Sequence, residues 1–420
     1  MIVEGDIACR SGRIERIAPV IDDNAEETVD GRGHLLLPGV IDPQVHFREP
    51  GNEHKEDLAS GSRAAARGGV TSFLEMPNTR PPTTTQAALD DKLARAARSS
   101  VVNYGFFIGA TPHNAATLDG IGPACGIKVF MGASTGDLLV DRPEDLERIF
   151  ATGTRLIAVH AEDQECIERH RDLFRHRRDP AAHSEIRPRE CALKATSLAL
   201  ELSKRYRRRL HILHVSTKEE VALLRRDKPA WVTAEAVPNH LFLNCADYER
   251  QGARVIMNPP IRDPEDNAAL WDALRDGVLD FIATDHAPHT LEEKQGYPAP
   301  AGMPGVETSL PLVLTEWRVG RCTLAQVLKW MSASAANAYG LAGKGGITEG
   351  ADADLTLVDV DQVRMVRDAD MTTKVHWSPF SGRTLTGWPI MTAVAGRIVF
   401  DKDGIRPGAR GAALQYARGA

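Results

Sequence analysis

The chain has 420 residues, 42% of them hydrophobic and 26% charged, with a formal net charge of -6. That composition fits a folded globular protein long enough for more than one domain, and excludes a disordered or fibrous chain. Its mild acidity gives no reason to expect a nucleic-acid or anionic-membrane partner. The basic run "ERHRDLFRHRRDP" (168–180) and its echo "KRYRRR" (204–209) read as solvated helix faces. The N-terminus carries no basic-apolar-small leader and no apolar run is long enough to span a bilayer, so the expected compartment is the cytoplasm. Six cysteines, Cys9, Cys125, Cys166, Cys191, Cys245 and Cys322, lack CxxC or zinc-ribbon spacing. They are expected to be reduced thiols, not a disulfide frame.

In chain order, residues 1–34 give short β-like pieces, with the glycines of "GDIACRSGRIERIAP" marking a hairpin. Eight strand-like apolar runs follow, at 34–42, 69–76, 101–109, 126–131, 154–160, 209–216, 230–237 and 279–286. Between several of them lie amphipathic stretches with helical spacing, at 55–68, 142–153, 189–206 and 217–227. Eight β-runs separated by helices or long loops predict an α/β fold, a (β/α)8 TIM barrel. The rival is a doubly wound sheet, but no GxGxxG turn follows the first strand. The β-rich stretches 351–360 and 391–404 match the opening residues in kind. The two chain ends, 1–34 and 344–420, are therefore expected to meet in a small β-sandwich beside a barrel of residues 35–343, with 341–350 as linker.

Barrel enzymes place their chemistry at the C-terminal ends of the strands, so the polar residues there matter most. The first run ends in Gln44, His46 and Arg48, which share one face if the strand continues. The second leads to Asn78, the fourth holds Lys128 inside apolar "GIKVFM", and the fifth ends on His160. The sixth carries His211 and His214, of which His214 is nearer the strand end and His211 reads as packed. Asn258 follows the seventh, and the eighth ends in Asp285 with His286 and His289 beyond. Taken singly, each has a structural explanation: His240 and His376 are read as structural, Lys128 as an interior lysine, Asp285 as a helix cap. Taken together, imidazoles and carboxylates ending different strands of one barrel are a ligand set for zinc or a related divalent ion.

These segments resemble the dihydroorotases of the cyclic amidohydrolase group, almost end to end. The resemblance rests on "PGVIDPQVHFREPG", "MPNT", "GIKVFMGASTGDLLV", "VHAEDQE", "LHILHVST", "MNPPIR" and "IATDHAPHT". It implies one or two Zn2+ per chain: His46 on the more exposed metal, a carboxylated Lys128 bridging two metals, and His160 and His214 on the second. Asp285 would touch the first metal and serve as general base, then general acid. Arg48, Asn78 and His289 would hold a substrate carboxylate, and Asn258 would line the ring pocket. The implied reaction is reversible hydrolysis of (S)-dihydroorotate to N-carbamoyl-L-aspartate, a step of pyrimidine biosynthesis. A metal would acidify the attacking water and polarise the ring carbonyl. Alternative readings are an allantoinase or hydantoinase-like enzyme, or a non-catalytic subunit partnering aspartate carbamoyltransferase. A homodimer is implied by the resemblance alone.

Two positions depart from the family pattern, Gln44 and Asn239, where histidine is usual. With Lys128, His160 and His214 in place, one metal is expected to be held firmly. The other would be absent, loose, or held through Gln44 or water. The resemblance also implies a further β-strand ahead of "IVEGDIACRSGRIERIAP", so the small domain is expected either to lack that strand or to begin downstream of its natural start.

Overall fold

The computed structural model describes residues 2–132 and 138–417; residues 133–137, within the segment "GIKVFMGASTGDLLV", lie outside the described residues. The chain opens with an antiparallel hairpin, β1 (Asp6–Arg10) and β2 (Arg13–Ala18), and then enters β3 (Leu35–Pro38). Each of the eight expected runs then supplies barrel strand. These are β4 (Val40–Val45), β5 (Val70–Glu75), β6 (Asn103–Phe106) continued by β7 (Ile108–Gly109), and β8 (Ile127–Phe130). After them come β9 (Ile157–His160), β10 (Leu210–Ile212), β11 (Val232–Ala236) and β12 (Phe281–Ile282). All pair in parallel, as β4-β5-β6 and as β7 through β12 in order. The ring closes where Val45 bridges His286 and the His46 amide donates to His286 O at 2.7 Å.

Every residue of β4, β5, β8 and β9 is buried. Parallel strands covered on both faces have no solvent side, which is why the sequence shows apolar runs there and not alternation. The intervening helices begin at residues suited to the task. Asp57 caps the helix Leu58–Arg67 and Thr217 caps Lys218–Asp227, each in a reciprocal capping box. Phe47, Phe73 and Phe106 pack edge to face within the core. Burial of each such ring is worth about 1.5–3 kcal/mol.

The chain ends in β13 (Leu355–Met365), β14 (Thr384–Val394), β15 (Arg397–Asp401) and β16 (Gly404–Ile405), which form an antiparallel sheet closed at one edge by β3. The β1–β2 hairpin joins it through the Arg13–Asp352 bridge. The final segment leaves this sheet and returns to the barrel, where Ala413 bridges Tyr104. Among the described residues no helix is long and apolar enough to cross a membrane.

One expectation about the cysteines fails. Cys166 and Cys191 are joined in a disulfide, with Cα atoms 5.5 Å apart, while Cys9, Cys125, Cys245 and Cys322 are free. The bonded pair sits in the first turns of two adjacent helices, Gln164–Leu173 and Arg189–Tyr206. A spacing of 25 residues carries no local motif, so only the tertiary arrangement brings the two sulfurs together.

Candidate active site

The strand ends deliver their polar residues in two imidazole-centred groups. In the first, His46 points Nε2 at Asp285 Oδ1, 3.2 Å away, while its Nδ1 lies 2.7 Å from Asn78 Oδ1. An amide oxygen can only accept, so Nδ1 carries the proton and Nε2 presents its lone pair to the site. Gln44 Nε2 donates to the same Asp285 oxygen at 3.0 Å, leaving Gln44 Oε1 buried without a partner among the described residues. In the second group, His160 Nδ1 and His214 Nε2 converge to 3.0 Å. His160 Nε2 sits 2.9 Å from Glu162, whose carboxylate also pairs with the buried Arg187. The carboxylate fixes the proton on Nε2 and frees Nδ1, the arrangement that orients metal-binding histidines.

Lys128 stands between the groups. Its charge acts on His46, His160 and His214 alike, and Asp285 and Glu235 act on it in turn. Burial pushes its ammonium down to about 7, against the pull of those two carboxylates. Among the described residues no carboxylate lies within ion-pair distance of its Nζ. Burial also lowers all three imidazoles, favouring the neutral form a metal requires. Nitrogens held roughly 2.0–2.1 Å from one cation lie roughly 3.0–3.4 Å apart, and the His160–His214 separation fits. The buried Gln44 Oε1, an acceptor without a partner among the described residues, also suits a site built around a cation.

Backbone conformation adds an independent sign. Arg48, His214 and Asp285 hold φ values of 67°, 38° and 48°, in the left-handed region that side chains rarely adopt. Such residues concentrate where function requires a particular orientation.

A third group lies beside these. The partly buried Arg48 donates from Nε to Pro288 O at 3.2 Å, and its Nη2 is 3.2 Å from His289 Nε2. Lys55 Nζ reaches His289 Nδ1 at 3.1 Å and Glu293 at 3.1 Å. Among the described residues no carboxylate pairs with Arg48, so this corner is receptive to an anion. Asn258 is held apart from it, its Oδ1 accepting from His183 at 2.9 Å.

Of the residues singled out by sequence, His46, Asn78, Gln44 and Asp285 form one connected group, and His160 and His214 another. Arg48 meets His289, whereas Asn258 touches none of the other site residues through a hydrogen bond. Asn78 serves first as the acceptor that orients His46, and its NH2 has no partner among the described residues. His211 is packed as expected, stacked on Phe281 and bonded to Thr233 and Glu235. Sequence reasoning missed Glu162, Arg187, Glu235, Lys55 and Lys294. Only Glu162 carried a signal, standing one strand period beyond His160. Lys294 is buried and donates to the carbonyls of Ile256, Pro300 and Gly302, tying the Asn258 and His289 segments together.

Comparison with known proteins places this arrangement. The amidohydrolase family profile matches residues 35–399. A dihydroorotase of Halobacterium salinarum is 40% identical over 95% of this chain and 94% of its own length. One from Methanothermobacter thermautotrophicus is 36% identical over 95% and 91%. Among solved structures, an L-hydantoinase (dihydropyrimidinase) from Arthrobacter aurescens superposes with a TM-score of 0.92 at 31% identity, covering 96% of this chain and 94% of that one. With the family profile and near-full-length relatives in agreement, the chain belongs to the amidohydrolase family, within its dihydroorotase group, and is a metal-dependent cyclic amidohydrolase.

Proposed function

We propose that this enzyme interconverts (S)-dihydroorotate and N-carbamoyl-L-aspartate as a cytoplasmic step of pyrimidine synthesis, acting as a homodimer with bound Zn2+. The observation that carries the substrate is Arg48, a recessed guanidinium without a carboxylate partner among the described residues, with Lys55 and His289 beside it. Dihydroorotate brings a carboxylate to such a corner; hydantoin does not. The planar fork of Arg48 suits bidentate binding, and the free NH2 of Asn78 adds a donor. Asn258, held by His183, would line the ring pocket.

His160, His214 and Lys128 would hold one cation, with His46, Asp285 and Lys128 on the other and Gln44 offering its unpartnered Oε1. Zinc there supplies Lewis-acid polarisation of the ring carbonyl and acidifies water. Lys128, eased toward the neutral amine by burial, attacks CO2 through Nζ and loses a proton to form a carbamate. That modification gives the strand lysine two oxygen ligands. Asp285 accepts a proton from the attacking water through its carboxylate and returns it to the ring nitrogen that leaves, so one group serves both half-steps. In the synthetic direction the same proton moves run in reverse.

Assay of the purified protein on dihydroorotate, allantoin and hydantoin tests the reading. Turnover of dihydroorotate, lost in Arg48→Met, is expected. Rapid turnover of allantoin or hydantoin without dihydroorotate would overturn it.

A further inference from the structure

We propose that Cys166, Cys191, His170 and Glu190 form a second divalent-cation site, sharing no residue with the barrel centre and opened by thiol reduction. Cys166 and His170 lie four residues apart on one helix and therefore on one face of it. Glu190 and Cys191 occupy the first turn of the neighbouring helix, fastened where Asp163 N–H donates to Cys191 O at 2.9 Å. Cys166 Sγ lies 3.6 Å from Glu190 Oε1, and His170 Nε2 lies 2.9 Å from the same oxygen. One ligand atom each from Cys166, His170 and Glu190 lies within 4.8 Å of the others. His170 Nδ1 is buried with no partner among the described residues, so the imidazole is not committed to a structural hydrogen bond on that side.

The two sulfurs are now joined, and the bond withholds them from a metal. Reduction by a dithiol breaks the S–S bond. Each cysteine sulfur gains one electron and one proton, and the dithiol becomes a disulfide. Binding of a cation then releases both thiol protons and leaves two thiolates, one imidazole and one carboxylate, a tetrahedral set that favours zinc. Ligand atoms around such an ion stand roughly 3–4 Å apart, close to the Cys166–Glu190 and His170–Glu190 separations of 3.6 and 2.9 Å, while the two sulfurs must part once the bond between them is broken. The ion pair between Arg169 and Glu190 gives way as the carboxylate turns to the metal. In the reverse direction a peroxide takes two electrons from the dithiolate, re-forms the S–S bond, becomes two waters with two protons from solvent, and frees the cation. Both sulfurs are buried, while Glu190 is 56% exposed, which gives the ion its way in.

The chemistry has a signature the barrel centre cannot produce. None of the barrel candidates is a cysteine, so a thiolate-to-cobalt charge-transfer band reports this site alone. Whole enzyme is reduced anaerobically with a non-chelating phosphine, thiols are counted, and Co2+ is titrated. The band is expected in reduced protein, absent before reduction, lost in Cys166→Ser and Cys191→Ser, and retained in Cys245→Ser. In His170→Gln, a partly exposed position chosen to preserve folding, cobalt affinity is expected to fall at least tenfold. Resistance of the disulfide to excess phosphine overturns the proposal. So does reduction without a band, a band that survives in both serine variants, or unchanged affinity in His170→Gln.

Discussion

Gln44 holds Asp285 through its NH2 at 3.0 Å and leaves Oε1 buried and unpartnered. In the sequence the residue reads as a missing imidazole. In the structure one end of its amide orients the carboxylate that also faces His46, and the other end is free to accept. An amide oxygen is a weaker zinc ligand than imidazole, so the two cation positions should differ. After exhaustive dialysis, metal analysis is expected to find one ion retained per chain and a second recovered only when metal is added back. Gln44→Ala should weaken that second ion by about 10- to 100-fold, the range seen when supporting groups around a metal are removed. Two equally tight ions in the wild type would overturn the expected difference between the sites, and unchanged affinity in Gln44→Ala would remove Gln44 from the ligand set. His160 shows what the sequence could not convey about a proposed ligand. Its place at a strand end marked it as a candidate, but its tautomer depends on Glu162 and Arg187, and Arg187 arrives from a segment 27 residues further along the chain.

At the scale of elements, the barrel strands were legible because burial on both faces leaves an unbroken apolar run. The helices were legible because their apolar positions recur at helical spacing behind residues that cap. The loops that complete the site had neither mark. Lys294 illustrates the loss: in the sequence it is a charged residue in "LEEKQG", yet it is buried with its ammonium bonded to three backbone carbonyls. Those carbonyls belong to the segments that present Asn258 and His289. Lys294→Met keeps the length of the side chain and removes its donors, and each buried group left unsatisfied costs about 1–3 kcal/mol. The proposed substrate pocket should loosen while Asp285, the proposed proton carrier, stays in place. Steady-state kinetics on dihydroorotate should show KM rising about tenfold with a smaller change in kcat, a pattern of lost uniform binding. An unchanged KM would mean the three bonds serve stability alone.

For the whole molecule, the contacts hardest to foresee were those joining distant parts, such as the Cys166–Cys191 bond and the return of residues 411–417 to the barrel. Neither has a local pattern. The same long-range packing buries histidines outside the metal centre and sets how the protein responds to acid. Burial lowers His183 and His240 to about 4 and His211 to about 3, from an ordinary 6.5. In the unfolded chain these imidazoles take up protons below about 6.5, whereas the folded protein refuses them until about 4 or lower. Between those limits the unfolded state binds more protons, so stability falls as pH drops, by about 1.4 kcal/mol per pH unit for each proton of difference. Asp42 opposes this: burial raises its carboxyl to about 7, so the folded state gains protons there that the unfolded chain does not. A single variant separates the two effects. His240→Gln keeps a donor for Pro259 O, which His240 Nε2 now reaches at 3.0 Å, but cannot titrate. Urea unfolding at pH 7.5, 5.5 and 4.5 should show the variant losing less stability than the wild type over both downward steps. Parallel curves would mean that His240 takes up its proton at the same pH in the folded and the unfolded protein.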